Sequence, residues 1–287
     1  MHSRAVNEAR FRFAVLPAGP LLIRSGSEDP LDPTRPDMEC VRSIHPATGK
    51  ESVVIPGSSL KGVFRSRAEQ LLRGFLYGSS ISVCNPLDRK AACGRQKAVQ
   101  EASGPQRYLR HCPACQLFGS LALGSRVYFR DAFPAPAHPV VLGERKNVAI
   151  DRVTGGARGG ALFGLEVVES ARFEAEMVLS NYDTWQLCLL AVVLDDLNQG
   201  FIGLGSGTSR GYGRVTIRDV VIALRDYRAE PPGQVTGYEP DDRLPVPVAW
   251  TRRAAGFEGE ISFEALLAAA REVDYASAIR REGGGGR

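Results

Sequence analysis

Alternating apolar and polar side chains predict a strand over Arg10–Arg24 (RFRFAVLPAGPLLIR), interrupted by Pro17 and Gly19. A long loop rich in Pro, Asp and Ser follows, from Ser25 to Ile55. Loops of that length inside a compact domain are functional or unstructured. Leu60, Val63, Phe64, Ala68, Leu71 and Leu72 then recur at helical spacing. They predict a helix with Ser58 or Ser59 as N-cap and Gly74 at its end. Lys61, Arg65, Arg67 and Arg73 are left largely off its apolar face. Further along, Ser125–Phe133 alternates as a strand. Val140–Glu169 predicts two extended arms around a glycine-rich turn at Gly155–Gly160. Ala171–Leu179 alternates again, and Thr184–Leu197 is a second apolar helix capped by Asp183 or Thr184. A glycine-rich loop, Gly203–Gly213, leads into an alternating strand, Arg214–Leu224. After Arg225 the chain turns Pro/Gly-rich, with a short helix near Phe263–Glu272 and a Gly283–Gly286 tail expected to be mobile. The order strand, helix, strand, strand, helix, strand defines an α+β protein with the ferredoxin-like βαββαβ pattern.

Composition adds limits. At 287 residues the chain is long enough for one large domain or two small ones. No apolar run approaches the roughly 18 residues of a spanning helix, so no membrane segment is expected. The N-terminus lacks the apolar core of a signal peptide, and a cytoplasmic protein is expected. A net charge of only +4 says little about partners, whereas its distribution says more. Between Cys40 and Cys115 there are 12 Lys/Arg against 4 Asp/Glu, while after Asp226 acids outnumber bases. The first half is suited to meeting an anion.

Four of the six cysteines, Cys84, Cys93, Cys112 and Cys115, fall within 32 residues. In a cytoplasmic chain such clustering points to metal before disulfides. Cys112 and Cys115 have the two-residue gap of a thiolate pair on one tetrahedral ion, and Cys84 with Cys93 closes the site, more widely spaced than usual. His111 competes as a ligand. Soft thiolates with no open position imply structural Zn2+. Cys40 has no visible partner, and its bland role is that of a small buried hydrophobe.

Several common sites are absent. Gly49-Lys50 lacks the earlier glycine of a P-loop, since Ile44 stands there. Gly203-Leu-Gly-Ser-Gly mimics a dinucleotide loop, but a strand follows it. No His-Glu-x-x-His motif or nucleophile elbow occurs, and the four histidines form no nucleophile–base set. Two elements remain that suit an anion. Ser58 and Ser59 at a helix start, with Lys61 one turn in, offer amides, hydroxyls and charge. The five glycines of residues 203–213 permit close backbone approach to a ligand, and Thr208, Ser209 and Arg210 supply polar contacts.

Four segments in order resemble the RAMP superfamily of CRISPR-associated proteins: Ile55-Pro-Gly-Ser-Ser-Leu-Lys-Gly62, Cys112-Pro-Ala-Cys-Gln-Leu-Phe-Gly119, Asn147-Val-Ala-Ile-Asp-Arg-Val-Thr-Gly155 and the glycine loop. The likeness is greatest to the guide-RNA-binding backbone subunit of type III effector complexes. It implies an RRM-like ferredoxin core over residues 1–225 with two insertions, a zinc-binding one at about 77–116 and a thumb hairpin at about 140–172, followed by a partly mobile extension, 226–287. The thumb would wedge between guide nucleotides and kink the guide–target duplex, flanked by Arg145, Lys146, Arg152 and Arg158. Guide RNA contacts would come from Ser58, Ser59, Lys61, Arg65, Gly205, Gly207, Ser209 and Arg210. The family's target-cutting aspartate corresponds best to Asp37, with Asp29, Asp32 and Glu39 as neighbours, and Mg2+ or Mn2+ as its cofactor. The partners implied are guide RNA (crRNA), complementary target RNA and other effector subunits, including copies of the same chain. Two further possibilities are a structural subunit that does not cut and a guide-processing endoribonuclease using His45.

Overall fold

The first strand, β1 (Asn7–Pro17), buries Ala9, Phe11 and Phe13 and turns Glu8, Arg10 and Arg12 to the opposite face. In the computed structural model, which describes residues 4–25 and 36–279, that period-2 register sets the core. Helix α1 (Gly57–Phe75) lays Leu60, Phe64, Ala68 and Leu72 into the same core. The strands β2 (Val127–Phe129) and β3 (Phe173–Ser180), helix α2 (Thr184–Gln199) and strand β4 (Val215–Asp226) follow. A later strand, β5 (Phe257–Ile261), completes an antiparallel sheet in the order β5-β4-β1-β3-β2. Thr251–Arg252 pairs outside β5, and Phe133–Pro134 adds to β3.

The first strand stops at Pro17 where the sequence predicts it to run to Arg24, a short hairpin of Arg42–Ile44 and Glu51–Val53 interrupts the expected loop, and three further boundaries also differ. Neither serine caps α1. Pro56 is the N-cap, and the Asp131 carboxylate accepts from the Gly57 amide at 2.7 Å, a cap delivered from 74 residues away. Gly57 is required there, because a Cβ would run into the Phe129 carbonyl oxygen. The other end of α1 continues through Gly74 to Phe75, with the Leu76 amide closing onto Leu72 O at 3.0 Å. In the hairpin the strands are Val141–Ile150 and Ala157–Ser170, so the turn lies before Gly159 and Gly160. Asp151 sets it by accepting from the amides of Val153 and Thr154 at 2.8 and 3.0 Å.

Helix α2 is apolar nearly all round, from Trp185 to Leu197. Such a helix needs cover on every side. The C-terminal segment supplies part of it, since the helix Phe263–Ala270 packs on α2. Asp242 accepts from the Thr184 amide at 2.8 Å, and the Tyr275 ring stacks on Phe75 with centroids 4.6 Å apart. The extension up to Ile279 is thus built onto the core. The Gly283–Gly286 tail, Asp29 and Asp32 lie outside the described residues, as does the side chain of Arg158. Among the described residues no helix is long and apolar enough to cross a membrane.

Candidate functional site

One short segment, Pro20–Ser25, acts as a rail onto which three distant parts of the chain are bonded. The glycine loop attaches through Gly213 N to Pro20 O and Ser206 N to Leu22 O, both 2.8 Å. The long hairpin strand attaches through paired bonds between Leu21 and Val168 at 2.8 and 3.0 Å. The Asp37 loop attaches through Val41 N to Ile23 O and Ser25 N to Glu39 O, both 2.8 Å. Glycine is needed at Gly205, where φ is +86° and a Cβ would strike the Leu22 carbonyl.

Asp37 is exposed beside the hairpin stem, and its Oδ2 accepts from the Gly164 amide at 2.7 Å. Met38 forms a parallel bridge with Leu165, continuing the contact. Glu166, one residue on, accepts from the Cys40 amide at 2.9 Å and pairs with Arg42, locking the loop to the stem. Glu39 faces Arg42 at 4.0 Å. Cys40 is buried, and burial with the nearby Glu166 pushes its thiol up to about 12, as suits an inert packing residue. His45 is also buried; its Nδ1 accepts from the Ala47 amide at 3.1 Å and its Nε2 donates to Pro134 O at 2.8 Å. Both ring nitrogens serve the fold.

Between α1 and the glycine loop runs a groove of about 650 Å³, lined by Gly62, Ser66 and Gln70 on one side and Thr208, Ser209 and Arg214 on the other. Thr208 and Ser209, both expected to supply polar contacts, line it, as do Gly203 and Gly211 of the glycine loop. Ser58, Ser59 and Lys61 stand at the start of α1, just before Gly62, and the Gly57 and Ser59 amides are already bonded, to Asp131 and to Pro56 O. Burial and the neighbouring Arg65 charge pull the Lys61 ammonium below its ordinary pKa. Gly205, Gly207 and the exposed Arg210 belong to the loop itself, with Tyr212 and Arg210 lying over Gly207. On the hairpin, Arg145 pairs with Glu169 at 2.8 Å, and Lys146 and Arg152 are exposed. Its apolar end is exposed as well, with Val153 94% and Ile150 65% accessible. Ser66, Gln70 and Arg214 escaped notice in the sequence because a polar groove wall has no periodic signature.

The four clustered cysteines converge. Their sulfurs all lie within 4.8 Å of one another, and Cys84 Sγ is 3.6 Å from both Cys112 and Cys115 Sγ. A tetrahedral zinc with bonds of about 2.3 Å needs sulfurs roughly 3.8 Å apart, so the set suits that ion. None of the four is in a disulfide. Thiol hydrogen bonds from Cys112 and Cys115 pull the Cys93 thiol well below its ordinary range. His111 is not a fifth candidate, since its ring nitrogens contact Arg107 O at 2.6 Å and Ser120 Oγ at 2.7 Å. Metal analysis of protein purified without chelator is expected to give one zinc per chain; a zinc-free preparation would remove this centre.

The stretch that carries α1, the hairpin and the glycine loop also places the chain in a known class. Residues 19–216, more than half of the chain, match the RAMP superfamily, and the chain belongs to it. A relative in Methanocaldococcus jannaschii, the CRISPR system Cms endoribonuclease Csm3, is 28% identical over 190 residues. That match covers 60% of this chain and 66% of the relative, just under two thirds of its length.

Proposed function

We propose that this chain is the guide-RNA-binding backbone subunit of a type III CRISPR effector complex and cuts complementary target RNA at Asp37. The observation that carries this reading is the junction at Gly164, where the Asp37 carboxylate is hydrogen-bonded to the stem of the protruding hairpin. A cutting acid and a strand-distorting wedge belong together. RNA breaks when its 2′-OH attacks the adjacent phosphate in line, expelling the 5′-oxygen, and a kinked strand can reach that alignment. The exposed Ile150 and Val153 suit a wedge between bases. Asp37 would accept the hydroxyl proton or hold a divalent ion. Mg2+ or Mn2+, when bound, would supply charge stabilisation at the scissile phosphate.

The strand order β4-β1-β3-β2, with α1 and α2 contributing to a shared core, supports the RRM-like ferredoxin reading of the core. In this reading the guide backbone follows the groove between α1 and the glycine loop, where Lys61 and Arg210 flank the lining residues Gly62 and Ser209 and add their charge to that of Arg67 and Arg214. The Methanocaldococcus relative is named an endoribonuclease of a CRISPR system, which favours a nuclease role. Guide processing through His45 is disfavoured by the burial of that ring and its two bonds to the fold.

Charge reversal at both positions, Lys61→Glu with Arg210→Glu, tests the groove. RNA retention is expected to fall sharply and the salt dependence to flatten by about 1.4, from about 0.7 for each lost phosphate contact on a single strand. Filter binding across a salt series checks it. Unchanged retention would place the guide elsewhere.

A further inference from the structure

Arg65, expected from the sequence to face RNA, points its guanidinium at the cysteine cluster instead. Its Nη2 lies 3.6 Å from Cys115 Sγ, and its Nη1 donates to Gly119 O at 3.1 Å. The Nε donates to Glu69 at 2.9 Å, a carboxylate buried on the same helix and also approached by Arg73 at 3.4 Å. With three of its faces held, this planar cation has little freedom to swing toward a phosphate. Four thiolates around one divalent zinc carry a formal charge of about −2, and buried charge of that size calls for a nearby cation and N–H donors. Arg65 supplies both, and it joins the cluster to α1 through a ligand sulfur, while Arg73 reaches the backbone carbonyl of Cys84 at 3.2 Å.

We infer that Arg65 is a positioning residue of the thiolate centre, neutralising its charge and fastening it to α1, and not a contact to RNA. This rests on the zinc reading of the four cysteines. An N–H···S bond withdraws electron density from the thiolate, making it less basic and less nucleophilic, so the protonation and alkylation that free a sulfur from its ion are slowed. A solvent-reachable groove of about 380 Å³, walled by Arg65, Arg95 and Leu121, opens onto Cys84, Cys93 and Cys115. A chelator or alkylating reagent therefore has a path to the sulfurs, and Arg65 stands beside it.

The test compares Arg65→Gln and Arg65→Lys with wild type in the full chain. Zinc release to a chromogenic chelator is expected to speed up on the order of 10- to 100-fold in Arg65→Gln, the usual effect of losing an outer hydrogen-bond partner. Arg65→Lys, which keeps charge but loses the fork, should fall between. In Co2+-substituted protein the sulfur-to-metal charge-transfer band should move to lower energy in Arg65→Gln, a signature that a folding defect alone does not produce. The salt slope of RNA retention should stay at the wild-type value in Arg65→Lys and Arg65→Gln alike. Release rates and spectra equal to wild type, or a salt slope reduced by about 0.7 in Arg65→Gln, would overturn the inference and return Arg65 to the RNA. Wild-type protein with no thiolate band on adding Co2+ would instead sink the zinc reading, and this inference with it. Should Arg65→Gln fail to fold, Arg65→Lys decides by the same readings.

Discussion

A complex assembled from Asp37→Ala chains is expected to keep its guide RNA and to lose cleavage of complementary RNA by on the order of 10²–10⁴-fold. The expectation follows from position. The carboxylate is exposed, fixed through Oδ2 to Gly164, and its loop is fastened to the hairpin stem by Met38, Cys40 and Arg42. Asp37→Asn makes the comparison sharper. An amide oxygen can still accept from the Gly164 amide, so the loop should stay docked while the charge is gone. Equal loss in both variants assigns the defect to the missing carboxylate and not to a displaced loop. A time course on labelled target RNA with Mg2+ reads the outcome. Cleavage that persists in both would shift the role to another acid, Glu39 first; a wild-type complex that never cuts would leave a structural subunit.

Removing one member of the buried Arg126–Asp183 pair should destabilise the chain by about 3–5 kcal/mol. Both side chains are 2% exposed, 3.4 Å apart. Asp183 also accepts from Tyr108 OH at 2.7 Å, and Arg126 lies 4.0 Å from the centre of the Tyr108 ring. Gln186 completes the network, receiving Arg126 at 3.2 Å and the Asp183 amide at 3.1 Å. Deleting either charge takes one compensating partner from a charge that stays buried. In thermal unfolding, Asp183→Ala or Arg126→Ala should lower the midpoint by roughly 6–20 °C. The double variant Arg126→Met with Asp183→Asn should cost less than the sum of the single changes, the mark of direct coupling. Strict additivity would show that the two side chains do not depend on each other. Tyr108 comes from the cysteine-bearing segment, so the same variants should loosen that segment from the first turn of α2.

The alternating and helical core was legible in the sequence because burial imposes a period. Phe11 and Phe13 alternate with Arg10 and Arg12, and Leu60, Phe64, Ala68 and Leu72 share one face of α1. The cysteine cluster was legible through spacing and softness of the ligands. What escaped depends on long-range geometry. The cap of α1 comes from Asp131, which no local pattern links to Gly57. The direction of Arg65 was hidden because a basic residue beside the apolar stripe of a helix can face solvent, RNA or a buried anion with the same spacing. Strand β5 was missed because Phe257–Ile261 is short and holds Gly259, a residue disfavoured in strands. In the hairpin, the glycines at 159 and 160 drew attention from Asp151, the residue whose carboxylate shapes the turn.

Strand β5 has a consequence for how copies of this chain can meet. On one side the sheet finishes in the two residues Thr251–Arg252, and on the other in the short pieces Val127–Phe129 and Phe133–Pro134. Stubs this short give an incoming backbone almost nothing to zip onto. Should copies of this chain line up, as the proposed function has it, contacts at these short outer strands would rest on side chains more than on added backbone pairing.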